Sequence, residues 1–163
     1  MDKKFFYLKA YPNLEKALKD GAKIHIFQSG GGLRVVSVEM DGKLISYGEY
    51  PYLSGALSHA ETDFGLSYEE QYSGKKAKHR HYLTGAQPKP FDLMDTYVCT
   101  NTLDLFYSKR WKCIICITPA DVHWNRENEI HWGTSDNHLI WAISNCLLSS
   151  NFEDKELFMN RVL

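Results

Sequence analysis

Between residues 23 and 50, apolar and polar positions alternate in three successive runs, KIHIFQ (23–28), LRVVSVEM (33–40) and KLISYGEY (43–50). A period of two sends alternate side chains to opposite faces of a strand. The first two runs are separated by Ser29-Gly30-Gly31-Gly32 and the last two by Asp41-Gly42. Asp-Gly is a strong hairpin signal, because a two-residue turn needs positive φ at both positions. The pattern therefore predicts a three-stranded antiparallel meander. In its middle run Val36, Val38 and Met40 share one face, and Leu33, Val35 and Ser37 share the other. The middle strand is thus expected to be covered on both sides.

Other segments read as follows. KKFFYLK (3–9) is a candidate strand, and LEKALKDG a short helix with Asn13 as N-cap and Leu14, Ala17 and Leu18 on one face. Pro51 opens a helix whose stripe is Leu53, Ala56, Leu57 and Ala60, ended by Gly65. Ser67-Tyr68-Glu69-Glu70 is a capping box for a further short helix ending at Gly74. Residues 75–90, KKAKHRHYLTGAQPKP, form a basic, proline-marked loop, and FDLMDTYVC (91–99) fits a helix. LDLFY (103–107) and WKCIICI (111–117) pair around Ser108-Lys109-Arg110. Thr118-Pro119 begins a short helix, EIHW (129–132) and HLIWAIS (138–144) form a hairpin around GTSDN, and Ser150 to Glu153 caps a last helix running to about Arg161. Strands and helices mix without βαβ alternation. The expectation is a single α+β domain over residues 1–163, with a twisted, mainly antiparallel sheet built from two meanders or hairpins. Helices are expected on one face and WKCIICI at the centre.

Charge and cysteine usage narrow the class. Lys and Arg total 19 against 20 Asp and Glu. No global field draws such a chain to DNA, RNA or an anionic membrane, so sequence-specific nucleic-acid binding is not expected. No apolar run approaches the ~18–20 residues of a membrane span. The opening MDKKFFYLKAYPN does not read as a secretion signal, since its apolar run is broken by Lys9 and Pro12. Cys99, Cys113, Cys116 and Cys146 then read as reduced thiols of a cytoplasmic protein.

Candidate chemistry is sparse. Three glycines exceed what a hairpin needs, and consecutive bare N–H groups can form an anion-binding concavity. Ser29, Gly30, Gly31, Gly32 and Arg34 are therefore candidate ligands for a phosphate or carboxylate, although neither GxxxxGK[ST] nor GxGxxG is present. Lys78, His79, Arg80, His81 and Tyr82 of the basic loop add donors and a stacking face, and can close over the same anion. His123, His131 and His138 lie among acidic residues and can be read as a metal or acid–base cluster, but with no HExxH spacing. Whether His131 and His138 share a face depends on strand register. Cys113 and Cys116 are three apart in a strand, so they face opposite ways and cannot grip one metal. No GxSxG nucleophile elbow occurs.

The expected function is that of a small soluble, non-enzymatic binding protein without a cofactor. It would capture a small phosphorylated or nucleotide-like anion at the glycine hairpin. One alternative is a metal-assisted hydrolase using His123, His131 and His138. Another is a protein–protein inhibitor or adaptor anchored by aromatics such as Trp124 and Trp132.

Overall fold

The computed structural model describes residues 10–65, 98, 101–119, 128–148 and 151–163. The strand expected at 3–9, the capping-box helix at 67–74, the basic loop with Lys78–Tyr82 and the helix after Pro119 with His123 and Trp124 lie outside them, as does the helix expected at 91–99 except for Val98, which is helical. The elements in chain order are α1 (Pro12–Lys19), β1 (Lys23–Gln28), β2 (Arg34–Met40), β3 (Lys43–Tyr50), α2 (Leu53–Gly65), β4 (Leu103–Ser108), β5 (Cys113–Pro119), β6 (Glu129–Ser135), α3 (Leu139–Leu148), β7 (Phe152–Asp154) and α4 (Lys155–Val162).

The seven strands form one sheet in the order β3-β2-β1-β4-β5-β6-β7, every neighbouring pair antiparallel. The chain thus runs twice through the same plan, a three-stranded meander followed by a helix: β1-β2-β3-α2, then β4-β5-β6-α3. The two units join side by side where Ile24, His25 and Ile26 pair with Leu105, Asp104 and Leu103. The fold is α+β, as the alternation predicts. Asp41 and Gly42 both take positive φ, at 53° and 77°.

One face of the sheet carries the main core. Ile24, Ile26, Val36, Val38, Leu103, Leu105, Ile114 and Cys116 pack there against Leu14 and Leu18 of α1, Leu53, Ala56, Leu57 and Ala60 of α2, and Leu139, Ile140, Ile143 and Cys146 of α3. Helices are not confined to that face. On the other side Phe158 and Val162 of α4 cover Phe106, Cys113, Ile115, Ile117 and Ile130. The alternation of β5 explains this. Six of its seven residues are buried, which requires a cover on each side. β5 is an interior strand, and the middle position of the seven belongs to β4. Val35, Val36 and Val38 are fully buried, so β2 is also covered on both faces.

Further sequence expectations shift. Thr118 and Pro119, expected to open a helix, instead end β5, paired with His131 and Ile130 of β6. HLIWAIS is not a strand, because residues 139–148 form α3. A short, almost wholly apolar run is compatible with either period. The helix is selected by tertiary partners: Leu139, Ile140, Ile143 and Cys146 fall on one buried face, and Glu15 Oε2 accepts the N–H of Leu139 at 2.8 Å. The last helix starts at Lys155 rather than after Ser150, since Phe152–Asp154 instead pair with β6. Its cap is Asp154, whose side chain accepts from the N–H of Leu157.

The caps link the two units. α1 begins at Pro12, so Asn13 lies inside the helix rather than capping it, and no side chain of the adjoining turn caps its start. Glu61 of α2 supplies the cap, accepting from the N–H groups of Asn13 and Leu14 at 2.9 and 3.0 Å. Glu15 of α1 in turn caps α3. Both carboxylates satisfy donors that a helix start leaves without partners, and both place negative charge at the positive end of a helix.

Each unit also carries a glycine where its helix folds back on its third strand. A Cβ on Gly48 would lie 2.8 Å from the His59 ring, and one on Gly133 would lie 2.1 Å from the Cys146 backbone nitrogen. Beside Gly48 the core is polar: Ser46 Oγ donates to Asp63 Oδ2 at 2.7 Å, His59 Nε2 is 3.1 Å from the same oxygen, and His59 Nδ1 is 2.7 Å from Tyr50 Oη. The two ring nitrogens of His59 thus lie between the Tyr50 hydroxyl and the Asp63 carboxylate.

Candidate functional site

The triple glycine closes the β1–β2 hairpin over residues 29–33, with Gln28 and Arg34 as the last pair. Ser29 N–H donates to Leu33 O, Gly32 N–H to Ser29 O, and Leu33 N–H to Ser29 Oγ. Gly32 has φ +82°, so the turn itself demands glycine there. A Cβ on Gly30 would meet nothing within 4 Å, and one on Gly31 only Ser29 Oγ at 4.0 Å, so neither is held to glycine by space. Three of the loop's N–H groups are thus engaged within the turn. Arg34 Nη1 donates to Gly32 O at 2.7 Å and lies 3.3 Å from Gln28 Oε1, which folds the guanidinium onto the turn's carbonyl side.

Among the described residues, the other expected ones are dispersed. His131 pairs with Thr118 in the β5–β6 ladder and its ring lies 5.7 Å from that of Phe152. His138 precedes α3, its N–H donating to Ser135 Oγ and its carbonyl accepting from Ala142. Among the described residues no group of three His, Cys, Asp or Glu side chains can hold a metal ion. Cys113 joins the α4-side core and Cys116 the main core, on opposite faces as their spacing requires. Burial pushes the Cys116 thiol well up, reinforced by its neighbour Cys146. Trp132 stacks on Phe158 at 4.9 Å and meets Trp111 edge-on, so it belongs to the α4-side core.

A different constellation forms where the two units meet. Register places Ser37, His25 and Asp104 in one row across β2, β1 and β4. These positions alternate with the main-core residues Ile24, Ile26, Leu103 and Leu105, so the row lies on the opposite face of the sheet. His25 Nδ1 hydrogen-bonds Asp104 Oδ1, and its Nε2 is 3.9 Å from Glu39 Oε1. The His25 side chain is 44% exposed and that of Asp104 31%, so the pair is in contact with solvent.

Asp104 also lines a cavity of about 210 Å³ beyond the row. Ile117, Pro119 and Ile130 form its apolar wall, and Thr102, Thr118, Asn128, Glu129 and Lys155 complete the lining. Two local bonds build its rim. Thr118 Oγ1 donates to Thr102 O at 2.6 Å, tying the end of β5 to the start of β4, and Lys155 N–H donates to Asn128 O, which brings the start of α4 to the opening. On the other side of the row Glu39, Lys23 and Asp41 line a second hollow of about 310 Å³.

Comparison with known proteins finds no matching family model, no matching curated protein and no matching solved structure. The site therefore has to be judged on its own chemistry. Sequence reasoning missed it because His25 and Asp104 are 79 residues apart. The one local signal was a carboxylate inside the apolar run LDLFY. A charge there is costly unless it finds a partner or water.

Proposed function

We propose that this is a non-enzymatic binding protein that takes a small molecule into the cavity beside Asp104. One observation carries the reading: a carboxylate on the cavity wall is held by a histidine from the neighbouring unit. A site of fixed polar groups against an apolar wall is the usual make-up of a small-molecule pocket. His25 serves as the positioning residue. Among the described residues no hydroxyl or thiol is hydrogen-bonded to its ring, which favours orientation of Asp104 over activation of a nucleophile. This reading prefers the cavity to Ser29–Gly32 and Arg34, where the N–H groups of Ser29, Gly32 and Leu33 and the Arg34 guanidinium are engaged within the turn.

The test is a fragment screen followed by amide chemical shifts of the labelled protein. The expected result is a set of fragments whose shifts centre on Asp104, Thr118 and Glu129 and vanish in Thr102→Trp, which fills the cavity from its exposed rim. Hits centred on residues 29–34 instead would overturn the assignment.

A further inference from the structure

Resting on that reading, we infer that the ligand is a dipolar molecule, with an ammonium group, a carboxylate and a short apolar part, as in a small apolar α-amino acid. The charges of the lining carry the argument. Asp104 brings a carboxylate to the lining and Lys155 an ammonium. A purely anionic ligand would meet the like charge of Asp104, and a purely cationic one that of Lys155. A ligand with both signs can satisfy both kinds of wall. Asp104 is suited to the ammonium end: His25 engages Oδ1 and fixes the carboxylate's orientation, while Oδ2 has no hydrogen-bond partner among the described residues. Lys155, at the first position of α4, is suited to the carboxylate end by its own positive charge.

The apolar wall and the volume set the rest. Ile117 and Ile130 are largely taken up by the α4-side core, but their edges reach the cavity beside Pro119, enough for a short aliphatic side chain to rest against. A cavity of about 210 Å³ holds roughly seven molecules at the ~30 Å³ share of liquid water. That suits a ligand of about seven to ten non-hydrogen atoms, the size of valine or leucine.

Calorimetric titration with L-valine and L-leucine tests this, with isobutylamine and isovalerate as single-charge analogues. Amide shifts report in parallel where each compound sits. The expected result is that the amino acids bind in the cavity and that each analogue binds at least about tenfold more weakly, since each loses one charge-assisted contact. Asp104→Asn should weaken valine by a similar factor. Lys155→Met, a substitution at an exposed position that leaves the sheet intact, should weaken valine and leave isobutylamine unchanged. Isobutylamine binding as tightly as valine would overturn the dipolar inference and leave the cavity reading standing, as would other fragments binding there while both amino acids do not. If no compound moves the cavity amides, both fall together.

Discussion

Replacing Gly133 by alanine should be among the most damaging single-methyl changes available to this chain. The added Cβ would lie 2.1 Å from Cys146 N, 2.5 Å from Asn145 C and 2.6 Å from Cys146 Cα. All three are backbone atoms of α3, so no side-chain rotation relieves the clash. Ordinary contact begins at 3.4 Å, so the helix must retreat by roughly 1.3 Å or the strand must bend away. The buried face of α3 holds Leu139, Ile140, Ile143 and Cys146, all at 0–1% exposure. Each is worth roughly 1.5–3 kcal/mol by burial, and a gap near 1 Å forfeits about a quarter to a half of the contact energy along it. The expected cost is about 3 kcal/mol, at the upper end of what overpacking does to a core. Urea unfolding followed by tryptophan fluorescence reads it directly, with Trp132 beside the site in β6 and Trp141 in α3. At a slope of about 2 kcal/mol/M the midpoint should fall by about 1.5 M. Gly31→Ala is the control, since nothing crowds that position and its φ is not positive. It should be neutral or stabilising by up to ~1 kcal/mol. A Gly133→Ala midpoint within about 0.3 M of the parent, a change well under 1 kcal/mol at that slope, would refute the close approach of α3 to β6.

Three further outcomes are expected. Asp63→Ala leaves the Ser46 hydroxyl buried without its acceptor and removes the carboxylate 3.1 Å from His59 Nε2; it should cost about 2 kcal/mol and lower the melting temperature by roughly 4–8 °C, and a shift below about 2 °C would count against the buried network. Burial raises the Glu61 carboxyl above its ordinary value, despite the N–H groups of Asn13 and Leu14 pulling it down. The folded protein therefore holds that proton to higher pH than the unfolded chain, so the associated stability is complete below the ordinary carboxylate range and is lost as pH rises through the folded value. Glu61→Gln should remove that decline from a stability–pH curve, and an unchanged curve would contradict it. Finally, Cys116 and Cys146 should resist iodoacetamide in the folded state and react fully in urea, because both are fully buried and the Cys116 thiol is held protonated; rapid native labelling seen by peptide mass mapping would show that the core opens.

Much of the fold was legible because period-two alternation and turn chemistry are local. The β1–β3 meander, the Asp41-Gly42 turn, the β4–β5 pair and the opposed faces of Cys113 and Cys116 all follow from spacing within short stretches of chain. α3 was not legible, since its apolar run fits either period and its identity is decided by Glu15, 124 residues away. The glycines illustrate the same divide. The three that attract the eye, Gly30–Gly32, include one that the backbone requires, whereas Gly48 and Gly133 stand alone in strands and admit the closest contacts. An isolated glycine in a strand pattern does signal close approach, but not to what. The His25–Asp104 pair was not legible for the same reason: Asp104 is conspicuous in its own strand, and its partner His25 is defined only by how the two units join.

That join has a kinetic consequence. Within each meander successive strands follow one another after short connections, whereas β1 and β4 meet across the whole intervening chain and share only three register pairs. Short closures are fast and long ones wait on their entropy. The two units should therefore form early and dock late. α1 is then the clasp that latches the docked state, capped by Glu61 of one unit and capping α3 of the other. Contacts made after the rate-limiting step govern escape rather than entry. Removing either glutamate cap should leave the refolding rate nearly unchanged and speed unfolding, so the lifetime of the native state rests on two carboxylates that contribute little to how fast it is reached.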